Sequence, residues 1–106
     1  MSTITELTAD TFDAHVGEPG MTVVDFWAPW CGPCRMMAPQ LERAAKLRPQ
    51  YRFAKVNVDQ APALAAAFQV QAIPTLAVLR DGELVGTAPG VVGADQLVEA
   101  LDKVAA

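Results

Sequence analysis

Apolar positions come in short segments separated by polar punctuation, and their spacing predicts the elements. Met21-Thr22-Val23-Val24-Asp25-Phe26 is a nearly continuous apolar run with β-branched members, the pattern of a strand covered on both faces. Residues 52–58 predict a second buried strand and 75–80 a third. Asp81-Gly82 matches a tight hairpin turn, so 83–87 is expected to return antiparallel. Helical spacing fills the gaps between these runs. Phe12 and Val16 share a face in a short helix over 9–16, with Thr8 placed to cap it and Asp10 in its first turn. Gly17-Glu18-Pro19-Gly20 then breaks the chain. Over 34–47, Met37, Leu41, Ala44 and Ala45 form one stripe, with Glu42 and Lys46 outside it and Pro39 expected to bend the axis. Asp59 is expected to cap a helix that has Pro62 in its first turn and ends near Phe68. Leu97, Val98, Leu101 and Val104 mark an amphipathic helix near the C-terminus. The order β-α-β, then hairpin and helix, predicts an α/β fold: a mixed sheet flanked by helices on both faces.

Composition narrows the class. Of 106 residues, 52% are hydrophobic and 19% charged, which fits neither a disordered chain nor a coiled coil. A chain of this size buries about 65% of its unfolded surface on folding, enough for one core, so a single domain over residues 1–106 is expected. Eight Lys and Arg against twelve Asp and Glu give a net charge of −4. Such a surface gains nothing from counterion release, so no nucleic-acid partner is expected. No apolar run approaches the roughly 20 residues of a membrane span, so no membrane partner is expected either. Met1-Ser2-Thr3-Ile4-Thr5-Glu6 has no basic start and no apolar stretch after it, giving the expectation of a cytoplasmic protein without a secretory signal.

The candidate chemistry is concentrated in Cys31-Gly32-Pro33-Cys34, which holds both cysteines of the chain. Cys31 falls where a strand ends and a helix begins. Unpaired backbone N–H groups and the positive end of the helix dipole favour a thiolate there. Cys34 lies one turn further in, within reach of a mixed disulfide held on Cys31. The pair therefore suits thiol–disulfide exchange, with Cys31 attacking and Cys34 resolving. Gly32 leaves the sulfur unobstructed by a Cβ, and Pro33 fits the first turn and stiffens the loop. Two other uses stay open. Half of a zinc site would need four ligands, and only His15 remains as a soft one. A structural disulfide closing so short a loop would restrict the unfolded chain by only roughly 2 kcal/mol. Elsewhere, His15 ends the first helix, where a cationic ring suits the dipole. Met36-Met37 reads as helix packing. Asp25 interrupts an apolar strand, where a carboxylate is costly unless it is paired or protonated.

Trp30-Cys31-Gly32-Pro33-Cys34, following Val23-Val24-Asp25-Phe26-Trp27-Ala28, resembles the thioredoxin family. The resemblance covers nearly the whole chain and includes Lys55, Asn57-Val58-Asp59, Ile73-Pro74-Thr75, Asp81-Gly82 and Gly90. It implies the thioredoxin fold and a protein-disulfide reductase that cycles between dithiol and disulfide. Catalysis would rest on Cys31, Cys34 and Asp25, the last a buried acid of raised pKa that moves the proton of Cys34. Lys55 would modulate Asp25, although a lysine snorkelling to the surface fits that position as well. Pro74 would be cis and face the dithiol. Trp30, Gly32, Ile73 and Gly90 would frame a shallow apolar groove for an extended target segment, and Trp27 would pack beneath the loop.

By the same resemblance the chain needs no cofactor or metal of its own. Electrons would reach the Cys31–Cys34 disulfide from NADPH through thioredoxin reductase and pass to disulfide-containing target proteins. A monomer is expected. Two departures bear on partner choice: Pro89 stands just before Gly90, and Gln71-Ala72 replaces a pair that is often Arg-Gly. A disulfide oxidant or isomerase on the same fold, and a non-catalytic binding module using the same groove, are the competing functions.

Overall fold

A computed structural model describes residues 4–106. Residues 1–3, which entered the expectation about a secretory signal and the proposed span of the domain, lie outside the described part. Along the chain the elements are β1 (Thr5–Leu7), α1 (Phe12–Val16), β2 (Met21–Trp27), α2 (Gly32–Leu47), β3 (Arg52–Asn57), α3 (Pro62–Ala67), β4 (Thr75–Arg80), β5 (Glu83–Pro89) and α4 (Ala94–Ala105). They form a mixed sheet in the order β1-β3-β2-β4-β5. β1 and β2 both run parallel to β3, whereas β4 is antiparallel to both β2 and β5.

The continuous apolar run of β2 has the predicted consequence. Val23 and Val24 are both fully buried and serve opposite faces, as successive strand residues must. Val23 joins Met37, Leu41 and Ala44 of α2 and Leu97, Val98 and Leu101 of α4 in one layer. Val24 and Phe26 join Phe12 and Val16 of α1 and the half-buried Leu64 and Phe68 around α3 in the other. Outside the first layer, the Arg48 guanidinium grips Asp102 at 2.7 and 3.0 Å, and the Tyr51 hydroxyl donates to the same carboxylate at 2.8 Å. These bonds tie the end of α2 to α4.

The described fold departs from the sequence reading at its polar junctions. The first helix starts at Phe12 rather than at residue 9. Thr8 N donates to Thr11 Oγ1 at 2.9 Å, and Thr8 O accepts from the amides of Thr11 and Phe12, so the segment is taken up in a turn. β1 was not anticipated: three residues carry too little period, and its strand character comes from pairing with Ala54–Val56 of β3. Asp59 does not cap α3, whose N-cap is Ala61 with no side-chain bond. His15 does stand in the last turn of α1, but burial, then the nearby Arg52 charge, hold its pKa below the ordinary value and so work against the cationic form the sequence suggests. Of the methionine pair, Met37 is fully buried but Met36 is 64% exposed, which contradicts packing for the latter.

Candidate active site

β2 leads directly into the cysteines. After Trp27 the chain turns through Ala28-Pro29-Trp30, and α2 begins at Gly32. Cys31 is the N-cap of that helix, with extended φ and ψ of −89° and 112°, and its sulfur accepts the Cys34 amide N–H at 3.2 Å. A cap position normally filled by a side-chain oxygen is here filled by sulfur, so the orphan amide of the first turn is aimed at the reactive atom. Pro33 sits in the same turn, where a missing N–H costs nothing. The two sulfurs are bonded as a disulfide, with the Cα atoms 5.3 Å apart. Cys31 and Cys34 are only 3% and 4% exposed, and Ala28, Trp27, Val58 and Ile73 pack around them. Gly32 is exposed, and a Cβ placed on it would meet nothing within 4 Å.

Ile73 packs against the disulfide, and the Gly90 loop is tied to the residue that follows it. The Ile73-Pro74 peptide is cis, and the Ile73 carbonyl oxygen lies 3.7 Å from Cys31 Sγ. Gly90 N–H donates to the Pro74 carbonyl at 2.8 Å, which fixes the loop after β5 against that proline. Gly90 has φ of +89°, in the left-handed region that a side chain resists. Trp30 is 66% exposed beside the sulfurs, and its indole N–H donates to Asp59 Oδ2 at 2.9 Å. Asp59 therefore spends its carboxylate on Trp30. Sequence reasoning missed this, because no local spacing signals a bond between residues 29 apart.

Asp25 enters from below. It lies on β2 between Lys55 of β3 and Leu76 of β4 and is 3% exposed. Burial pushes its carboxyl up to about 6, while the Lys55 charge pulls the other way. Its Oδ1 has no hydrogen-bond partner in the described protein. Lys55 carries its ammonium 5.0 Å from the centroid of the Trp27 ring, a cation–π placement rather than simple escape to solvent. Asp25 and Cys34 line one and the same cavity.

Of the residues the sequence reading nominated, Ile73 packs against Cys31 and Cys34, Pro74 follows it across the cis peptide and holds Gly90 by a backbone bond, Trp30, Gly32 and Pro33 flank the cysteines in the chain, and Asp25 and Lys55 line a cavity with Cys34. No group of three or more His, Cys, Asp and Glu fit to hold a metal ion occurs among the described residues, and no described helix is long and apolar enough to cross a membrane.

Comparison with known proteins agrees with this geometry. The thioredoxin family model matches residues 3–103. The chain is 43% identical to thioredoxin 1 of Synechococcus elongatus over 97% of its length and 98% of the relative's. It is 45% identical to a thioredoxin of Staphylococcus aureus over 94% of its length and 96% of the relative's. Among solved structures, mitochondrial thioredoxin 3 from Saccharomyces cerevisiae in its oxidised form superposes with a TM-score of 0.86 at 35% identity, covering 95% of each chain. With a two-cysteine disulfide at the head of α2 and this likeness along nearly its whole length, the chain belongs to the thioredoxin family and is a thiol–disulfide oxidoreductase working by dithiol–disulfide exchange.

Proposed function

We propose that the chain acts as one domain, monomeric and cytoplasmic, reducing target-protein disulfides with electrons taken from NADPH through thioredoxin reductase. In the reduced form Cys31 attacks. The Cys34 amide and the N-terminal end of α2 stabilise its thiolate, and the loss of the S–H proton makes it the nucleophile. Its sulfur bonds to one sulfur of the target disulfide, and the other target sulfur leaves as a thiolate and takes up a proton. Trp30, Ile73, Pro74 and Gly90 frame the groove that holds the resulting mixed disulfide, with the Ile73 backbone available to an extended segment.

Cys34 then gives its proton to Asp25 and attacks Cys31, closing the intramolecular disulfide and releasing the second target thiolate. Asp25 suits this step because burial holds its carboxyl at about 6, so a large fraction is an ionised acceptor at neutral pH. Lys55 tunes that acceptor by favouring its charged form. Gly32 and Pro33 keep the approach to Cys31 open and the loop stiff.

The single observation that carries the reading is the capping bond: the amide of the resolving cysteine donates to the sulfur of the attacking one. The test is insulin reduction followed by turbidity with dithiothreitol, repeated with a thioredoxin reductase and NADPH. Turnover in both supports the reading. Activity with dithiothreitol but none with a thioredoxin reductase removes that partner, and no activity in either removes the reductase function.

A further inference from the structure

Among the described residues five carry sulfur: Met21, Cys31, Cys34, Met36 and Met37. Four of them are at most 5% exposed, whereas Met36 is 64% exposed. The closed disulfide leaves neither cysteine as a free thiol. In this form Met36 is therefore the one described sulfur side chain open to a reagent in solution.

Its place on α2 gives that exposure a consequence. Residues three and four apart are neighbours on a helix surface, so Met36 lies beside Gly32 and Pro33 towards the cysteines and beside Gln40 in the other direction. Gly32 and Pro33 are exposed, which leaves the strip open at its cysteine end. Further along, Gln40 Oε1 accepts the Ala94 amide at 2.9 Å, and the Val92 amide donates to the sulfur of adjacent Met37 at 3.4 Å. In the same segment the Gly90 amide donates to the Pro74 carbonyl at 2.8 Å. Residues 90–94 are thus pinned to the cis proline at one end and to α2 beside Met36 at the other. This segment holds no ionisable side chain, and its Val91 is exposed. Met36, next to Gly32, and Val91, next to Gly90, add two apolar side chains to the rim of the groove.

A thioether is apolar and adaptable, which suits contact with varied apolar segments, whereas its sulfoxide is polar. We propose that Met36 is an oxidation site for hydrogen peroxide on the rim of the target groove, and that its sulfoxide loosens the docking of apolar target segments. The sulfur attacks one peroxide oxygen. An S–O bond forms and the O–O bond breaks, so sulfur is oxidised by two electrons and the peroxide is reduced. The second oxygen leaves as hydroxide and becomes water with the proton shed by the first. The loosening, unlike the oxidation, rests on the groove proposed above.

The test starts from the oxidised protein, whose cysteines are protected as the disulfide. It is treated with hydrogen peroxide, quenched with catalase and digested, and each methionine is followed by peptide mass. Met36 should form sulfoxide about tenfold faster, or more, than Met21 and Met37. Comparable rates at the three, or a slower rate at Met36, would overturn the site. Insulin reduction with dithiothreitol is then measured on the quenched protein. KM should rise roughly two- to fivefold in step with Met36 sulfoxide, with kcat unchanged. Met36→Gln should show a raised KM without peroxide, and the KM of Met36→Leu should not respond to peroxide. An unchanged KM at full oxidation of Met36, or a rise that persists in Met36→Leu, would overturn the loosening. Should the untreated protein fail to reduce insulin, the reductase reading and the loosening fall together, while the peptide masses still decide the oxidation site.

Discussion

Replacing Asp25 by Asn removes an ionisable group from the middle of β2 while keeping its shape. The carboxyl titrates at 3.8 in the solvated chain and at about 6 in the fold, because burial disfavours its charged form. The folded state therefore binds the proton more tightly than the unfolded state. Below about pH 4 both states are protonated and the group costs nothing. As pH rises from about 4 to about 6 the unfolded chain ionises first, so stability falls, and above that window the full deficit remains. A shift of about two units corresponds to about 3 kcal/mol at 1.36 kcal/mol per unit. Asn does not titrate and escapes this loss, although its amide N–H groups add a pH-independent offset of their own. Guanidinium denaturation of the oxidised Asp25→Asn and unaltered proteins, from about pH 3.5 to about pH 8, isolates the titrating part. The variant should gain about 3 kcal/mol relative to the parent across the window, the larger part of it between pH 4 and pH 6. A stability difference that is flat with pH, or that moves against the variant as pH rises, would refute the buried-acid argument.

Other outcomes follow from the same geometry. Cys31→Ser should abolish insulin reduction. Cys34→Ser should still attack but accumulate a mixed disulfide, seen as a mass increase after incubation with a disulfide-bearing target. Pro33→His should make the disulfide more oxidising, because a loosened first turn and a nearby imidazolium favour the Cys31 thiolate and hence the reduced form; a redox titration giving an equal or lower potential contradicts this. Asp59→Ala frees the Trp30 indole from its 2.9 Å bond. The net worth of such a bond, about 0.5–1.5 kcal/mol, should show as a KM for a protein disulfide raised roughly two- to tenfold with kcat little changed.

The sequence made the middle of this protein legible and its junctions less so. β2 and α2 carry strong periods, and Val23, Val24, Met37 and Leu41 went where those periods sent them because both sheet faces need covering. Asp25 stood out because one carboxylate in an apolar run demands an explanation, and burial with a raised pKa supplies it. The departures share a cause. Thr8 and Asp59 each have several bonding choices: Thr8 is taken up in a local turn with Thr11, and Asp59 bonds Trp30, where the sequence pattern favoured caps. β1 exists only through its neighbour β3. The meeting of Ile73 with Cys31 came from family resemblance rather than from spacing, since it depends on strand order, which a linear pattern does not encode.

The most direct test of the account is the alkylation rate of the reduced protein with iodoacetamide as a function of pH, each cysteine followed by peptide mass analysis. The capping amide and the head of α2 predict that Cys31 reacts faster than free cysteine at neutral pH, with an apparent pKa clearly below the ordinary value of about 8.5, while Cys34, inside the first turn rather than at its cap, stays slow. Equal rates at the two sulfurs, with a profile no different from free cysteine, would contradict it.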